Sequence, residues 1–230
     1  MPRSDPTTAA HEKDGGYEPR AEQVARWLRE AIYDGRLEAG QPVRQEAIAE
    51  ELGVSRIPVR EALRQLETEG LVVLRPHSGA RVAALDYAEC QEIYKMRERL
   101  EPLALSESME WIGEDGLDEA QRLADALREL HGDAAAWMEG DRNLHLALYA
   151  GVATPRLLRT IVGFWNTTQQ YRRALLSTFS PRDYELAHAE HDLIIDAMRT
   201  RTVRIAEDLA RAHIERSRLR LRRSPELFDR

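Results

Sequence analysis

Between Arg20 and about Leu85 the apolar positions come in short bursts separated by turn signals. Ala21 to Tyr33 sets Val24, Leu28, Ala31 and Ile32 on one helical face, and Asp34-Gly35 supplies a stop. Gly40-Gln41-Pro42 marks a turn. Gln45 to Leu52 predicts a second short helix, buried through Ile48 and Leu52 and closed by Gly53. Ser55 is positioned to cap a third helix that runs to Glu69 and is ended by Gly70. Leu71 to Leu74 and Ala80 to Ala84 then read as two short strands joined by Arg75-Pro76-His77-Ser78-Gly79. Helix, helix, turn, helix and β-hairpin in this order predict a winged helix-turn-helix over residues 20–85.

After Asp86 the pattern changes to long amphipathic helices with almost no strand signal. The helices are expected over 86–112, 116–131, 133–151, 154–177, 182–200 and 202–222, separated by Gly113, Gly116, Gly132, Thr154-Pro155, Ser180-Pro181 and Thr200 to Thr202. Short connections between long helices make neighbours antiparallel, so residues 86–230 are expected to form an all-α antiparallel bundle. The fold class is therefore mainly α: an N-terminal winged helix-turn-helix followed by a helical bundle. Residues 1–19, rich in Pro, Thr, Asp, Glu and Gly, have no apolar core and read as a disordered lead-in.

Composition narrows the function classes. The 230 residues carry 33 Lys+Arg against 40 Asp+Glu, a formal charge of −7, which argues against an indiscriminate polyanion binder. The charge is −2 over residues 1–85 and −5 over 86–230, so nucleic-acid binding needs a local basic face. The single cysteine, Cys90, excludes an internal disulfide framework and Cys-based zinc sites, which leaves His and carboxylates for any metal chemistry. The longest apolar stretch, Leu146 to Ala153, falls far short of the roughly 20 residues that cross a bilayer. A cytoplasmic protein without a membrane partner is expected.

On the helix after Ser55, Arg56, Arg60 and Arg64 fall within about 80° of one another, while Val59, Leu63 and Leu66 cluster on a different arc. A recognition helix in a major groove has this division, with apolar anchoring behind and Arg forking onto guanine edges or phosphates in front. An isolated Arg stripe is also what a solvated helix face looks like. Context decides between them. The segment Val24 to Ala83, densest at Ala49-Glu50-Glu51-Leu52-Gly53-Val54-Ser55-Arg56-Ile57-Pro58-Val59-Arg60-Glu61-Ala62-Leu63, closely resembles the winged-helix domain of the GntR family of bacterial transcription regulators. The resemblance implies that Ser55, Arg56 and Arg60 contact operator DNA in the major groove, with His77 and Gly79 at the wing near the minor groove. One position often held by Arg in that family is Glu46 here, and Arg44 two residues earlier is the candidate to take over its contact.

In the second half, Asp141 and His145 are four apart on one helix, beside Leu144 and Leu148, and so face the interior. His191 lies near Ile194 and Ile195, and His213 is one turn from Leu209. One carboxylate and three imidazoles can thus enter one interior space, a donor set suited to Zn, Ni, Mn, Fe or Co. Singly each is a weak signal. With Arg97-x-x-Leu100-Glu101 and Glu190-His191 they resemble the FCD effector domain of the FadR-like subgroup of GntR regulators, over about residues 88–217. The resemblance implies a bound divalent metal, zinc first, and a small carboxylic or sugar acid as effector. Arg97 is the first effector candidate, its alternative being an ion pair with a nearby Glu. Asn166 and Arg172 follow from their position on a central helix, and His188 is expected in a supporting or surface role. The expected function is a homodimeric, effector-responsive repressor on a near-palindromic double-stranded operator. The competing expectations are a metal-dependent enzyme and a pure metal sensor built on the same His/Asp site.

Overall fold

A computed structural model of the chain describes residues 19–76, 79–130 and 132–228, so the lead-in expected over 1–19 lies outside them apart from Pro19. The elements run α1 (Arg20–Tyr33), β1 (Pro42–Val43), α2 (Gln45–Glu51), α3 (Arg56–Thr68), β2 (Val72–Arg75), β3 (Gly79–Val82), α4 (Tyr87–Trp111), α5 (Glu114–Arg128), α6 (Ala134–Leu148), α7 (Pro155–Leu176), α8 (Pro181–Arg199) and α9 (Val203–Arg222), then a 3₁₀ turn over Pro225–Phe228. The fold is mostly helical with a small wing sheet, as the pattern predicts.

The winged helix packs α1, α2 and α3 around Leu28, Val59, Leu63 and Leu66, all nearly inaccessible, and closes the core with Val72, Ala80 and Val82 from the wing. Two local expectations fail. Pro42, predicted in a turn, opens β1, which lies antiparallel to β3 with Pro42 opposite Arg81 and Val43 opposite Ala80. Such a two-residue strand has no periodicity of its own, because its partner lies far along the chain. Ser55 occupies the N-cap position of α3 in extended conformation, yet its side chain makes no capping hydrogen bond. Its hydroxyl is therefore not committed to the first turn.

The bundle starts with a capping box: Glu89 N donates to Asp86 Oδ1 at 2.8 Å, and Asp86 N donates to Glu89 Oε2 at 2.9 Å. Its core runs through Leu105, Leu117, Leu127, Leu144, Trp165, Ile194 and Met198. Gly116, expected between helices, lies inside α5. The two halves meet where the end of α3 abuts α7. Gly70 terminates α3 at φ +77°, a conformation that favours glycine, and a Cβ there would come within 3.2 Å of Thr167 Cγ2. This turn brings the end of α3 against α7.

Candidate metal centre and DNA-reading face

Three helices of the bundle converge on one buried point. Helix α6 brings Asp141 (2% exposed) and His145 (5%) one turn apart, α8 brings His191 (0%), and α9 brings His213. One potential ligand atom from each of the four lies within 4.8 Å of all the others. Asp141 Oδ1 is 3.4 Å from His191 Nε2 and 3.8 Å from His145 Nε2. The imidazole centroids are 4.8 Å apart for His191 and His213, and 5.3 Å for His145 with either.

The donor set fits a divalent ion. Both ring nitrogens of His191, and Asp141 Oδ1, are buried without a hydrogen-bond partner among the described residues. Orphaned buried acceptors are costly unless something fills the gap. Burial pushes His145 down to about 4 and His191 well below its ordinary value, so both rings are neutral with a lone pair to offer. For Asp141 burial works upward, but the Arg172 guanidinium beside it reverses that and holds it ionised, below the ordinary carboxylate range.

Neighbouring side chains orient these ligands. Glu190 Oε2 lies 2.8 Å from His213 Nδ1, and Arg216 pairs with the same carboxylate. Tyr149 Oη lies 3.4 Å from His145 Nδ1 and donates to Glu101 Oε2 at 2.9 Å. Glu101 Oε1 in turn accepts from Arg97 Nε at 2.6 Å and Trp165 Nε1 at 2.9 Å. With Nδ1 occupied, His145 and His213 keep Nε2 for a ligand, the arrangement in which a carboxylate or carbonyl behind a histidine fixes its tautomer.

A small cavity of about 50 Å³ opens beside the cluster, lined by Asp141, His213, Arg172, Arg216, Tyr94 and Trp137 among others. Arg172 lines it and pairs with Asp141. Arg97 does not line it: this guanidinium is 4% exposed, bound to Glu101, and lies over the rings of Tyr94 (4.6 Å) and Trp165 (5.4 Å). Its ion-pair alternative is the one found. Asn166 is absent from this cavity as well and turns to the other half of the chain, accepting from Tyr33 Oη at 3.1 Å and donating to the Glu69 carbonyl at 2.7 Å. His188 is buried (3%) against Trp137 rather than on the surface. Sequence reasoning missed Tyr149, Trp165 and Arg216; Arg216, three residues after His213 on one helix face, was findable by periodicity.

On the winged helix, Arg44, Ser55, Arg56, Arg60, Arg64 and Gly79 are all exposed, whereas His77 lies outside the described residues. Arg56 pairs with Glu46, so the departure at that position bears directly on one of the cations expected to meet DNA. Arg81, exposed on β3, donates to the Gly40 carbonyl at 2.8 Å and ties the wing to the turn before β1.

Residues 20–82 match the model of the bacterial regulatory proteins, gntR family, and residues 92–216 match the FCD domain. A probable D-xylose utilization operon transcriptional repressor of Paenarthrobacter nicotinovorans is 29% identical over 197 residues, covering 84% of this chain and 85% of the relative. The HTH-type transcriptional repressor GlaR of Escherichia coli K12 is 26% identical over 197 residues, covering 82% of this chain and 90% of GlaR. The solved structure of E. coli McbR/YncC superposes with a TM-score of 0.79 at 22% identity, over 90% of this chain and 99% of that one. No helix among the described residues is long and apolar enough to cross a membrane. The chain belongs to the gntR family of bacterial regulatory proteins, with an FCD domain after its winged helix, and is a DNA-binding transcription regulator rather than an enzyme.

Proposed function

We propose that this chain is a cytoplasmic homodimeric repressor that releases a near-palindromic operator when a small carboxylic or sugar acid enters the cavity beside a divalent metal. In this reading residues 20–85 bind DNA and 86–230 bind effector and partner. The observation that carries it is the buried Asp141/His145/His191/His213 cluster with its orphaned acceptors, opening on a cavity walled by Arg172. Those four residues would hold the metal, zinc first by donor type, and bound there it would supply a Lewis-acid anchor for an anionic group. Arg172 supplies a fixed cation at the same wall, and a carboxylate arriving there competes with Asp141 for it.

A cavity of about 50 Å³ holds a water or two, so an acid of several heavy atoms must displace side chains at its mouth. That displacement can reach the DNA-binding half through α7. Arg172 lies over Trp165 at 5.1 Å, Arg142 lies over Trp165 at 5.9 Å and over Tyr33 at 5.6 Å, and Tyr33 shares Asn166 with the Glu69 carbonyl at the end of α3. Arg44, Ser55, Arg56, Arg60, Gly79 and His77 are the operator contacts in this reading. Dimerisation follows because one short helix reads too few base pairs for useful specificity, and two copies read two half-sites.

The test is fluorescence anisotropy on a duplex selected from random DNA by the full chain, with metal-loaded and chelator-stripped protein against a panel of carboxylates and sugar acids. Release by an acid that requires the metal is the expected result. DNA affinity that follows metal concentration and ignores every acid would replace this reading with a pure metal sensor.

A further inference from the structure

In the winged helix most large apolar side chains are packed, and Ile57 is the conspicuous exception. It sits in the first turn of α3 with 67% of its surface exposed, more than Val73 at 44%, the other large exposed apolar residue of that half among the described residues. Folding does not account for it. At that exposure it adds little to the core, and a β-branched residue in a helix costs rotamer freedom relative to Ala, Arg or Lys. Its neighbours also rule out an apolar docking patch: Arg56 precedes it, Arg60 and Glu61 are both exposed one turn on, and Ser55 at the N-cap has an uncommitted hydroxyl. A lone methyl-bearing probe among charged and hydroxyl groups, with Arg56, Arg60 and Arg64 outnumbering Glu61 on the exposed side of the helix, fits a surface that is anionic and carries isolated methyl groups. The major groove of DNA is such a surface, phosphates at its walls and the C5-methyl of thymine on its floor.

We propose that Ile57 is a specificity-determining residue that reads a thymine methyl in each half-site; this rests on the reading of α3 as the recognition helix. The first turn of a recognition helix is the part that approaches base edges. Ile57 is held there as a stiff side chain with essentially one χ1 rotamer, so contact costs little further ordering. Arg56, the adjacent cation, pairs at the surface with Glu46 from α2, which sets a polar reader next to the apolar one. The consequence is a preference for T over U at one base pair per half-site that no hydrogen-bond donor in α3 provides, since the two bases differ only in the methyl.

The experiment selects the preferred duplex from random DNA with the full chain, then replaces each thymine in turn by uracil, which pairs identically and lacks only the methyl. For the wild-type protein, uracil at one position per half-site is expected to weaken binding about fourfold, the factor for one apolar methyl group removed from water. Ile57→Ala should bind more weakly and show no further loss on uracil at that position, while Ile57→Val should keep most of the sensitivity. A selected duplex on which no single uracil alters wild-type affinity would overturn the assignment, as would an equal loss in wild type and Ile57→Ala. If no sequence is enriched at all, the reading of α3 as a recognition helix falls, and the proposal with it.

Discussion

Replacing Arg97 by leucine separates a strut from a ligand contact. Arg97 is 4% exposed and Glu101 0%, and their side chains meet at 2.6 Å. Burial by itself would raise the Glu101 carboxyl, yet the adjacent guanidinium holds it below the ordinary carboxylate range. Removing the cation leaves an ionised group sealed in the bundle with only Trp165 Nε1 and Tyr149 Oη as donors. Breaking a buried pair from one side costs about 3–5 kcal/mol. At a urea m-value of about 2 kcal/mol/M that is a midpoint lower by about 1.5–2.5 M. The double variant Arg97→Leu/Glu101→Leu should lose less than the two single variants added together, by about 1–3 kcal/mol, because it leaves no unpaired charge behind. The assay is urea unfolding followed by far-UV circular dichroism, without effector. An Arg97→Leu protein within about 1 kcal/mol of wild type that no longer responds to any acid would refute the strut and restore Arg97 as an effector contact.

Three further outcomes are expected. Elemental analysis of the purified chain should find about one divalent metal per protomer, absent from His191→Ala; a chelator should lower the melting temperature of the wild type and leave that variant unchanged. Cys90 is buried, and burial pushes its thiol up to about 12, so iodoacetamide at pH 8 should label it only after unfolding by urea, as read by mass spectrometry. Asn166→Ala removes two hydrogen bonds to the winged helix and should cost about 1–2 kcal/mol, while changing the acid concentration needed for operator release without changing metal content; an unaltered release curve would disconnect Asn166 from the switch.

The winged helix and the bundle were legible because their signals are local: stop glycines, capping residues and apolar faces at helical spacing. The strand β1 was not, since two residues beginning with proline become a strand only by pairing with β3. For the site, the one-turn spacing of Asp141 and His145 announces a shared face, and Arg97 with Glu101 has the same spacing and forms the ion pair it suggests. What periodicity cannot give is which face of a central helix looks where. Asn166 and Arg172 are six residues apart on α7, roughly 240° around the axis, so one meets the winged helix and the other the metal cluster. Of the two, only Arg172 lines the cavity beside the cluster. The convergence of α6, α8 and α9 on one point is likewise a tertiary fact, carried at the level of sequence only by family resemblance.

The junction between the halves has the composition of a movable contact. The main core cluster of the winged helix contains no residue of the bundle, and the main bundle cluster contains none of the winged helix. Apart from Leu85, which packs against the cluster of Cys90, Tyr94 and Tyr171 at the point where the chain enters the bundle, the junction is crossed by polar contacts: Asn166 to the Glu69 carbonyl, Tyr33 to Asn166, Gln170 Nε2 to the Leu37 carbonyl at 3.4 Å, and Tyr171 Oη donating to the Leu85 carbonyl at 2.5 Å. Exchanged for water, each such bond is worth about 0.5–1.5 kcal/mol net. Losing two or three of them costs about as much as the 1–3 kcal/mol typical of coupling between a ligand site and a second site. An apolar junction of the same extent would lock the winged helices in place and place their movement beyond what a small acid's differential binding can drive. In the proposed switch, a mostly polar one, anchored on the helix that also carries Arg172, is weak enough for a bound acid to move and specific enough to fix the spacing of two recognition helices when it is closed.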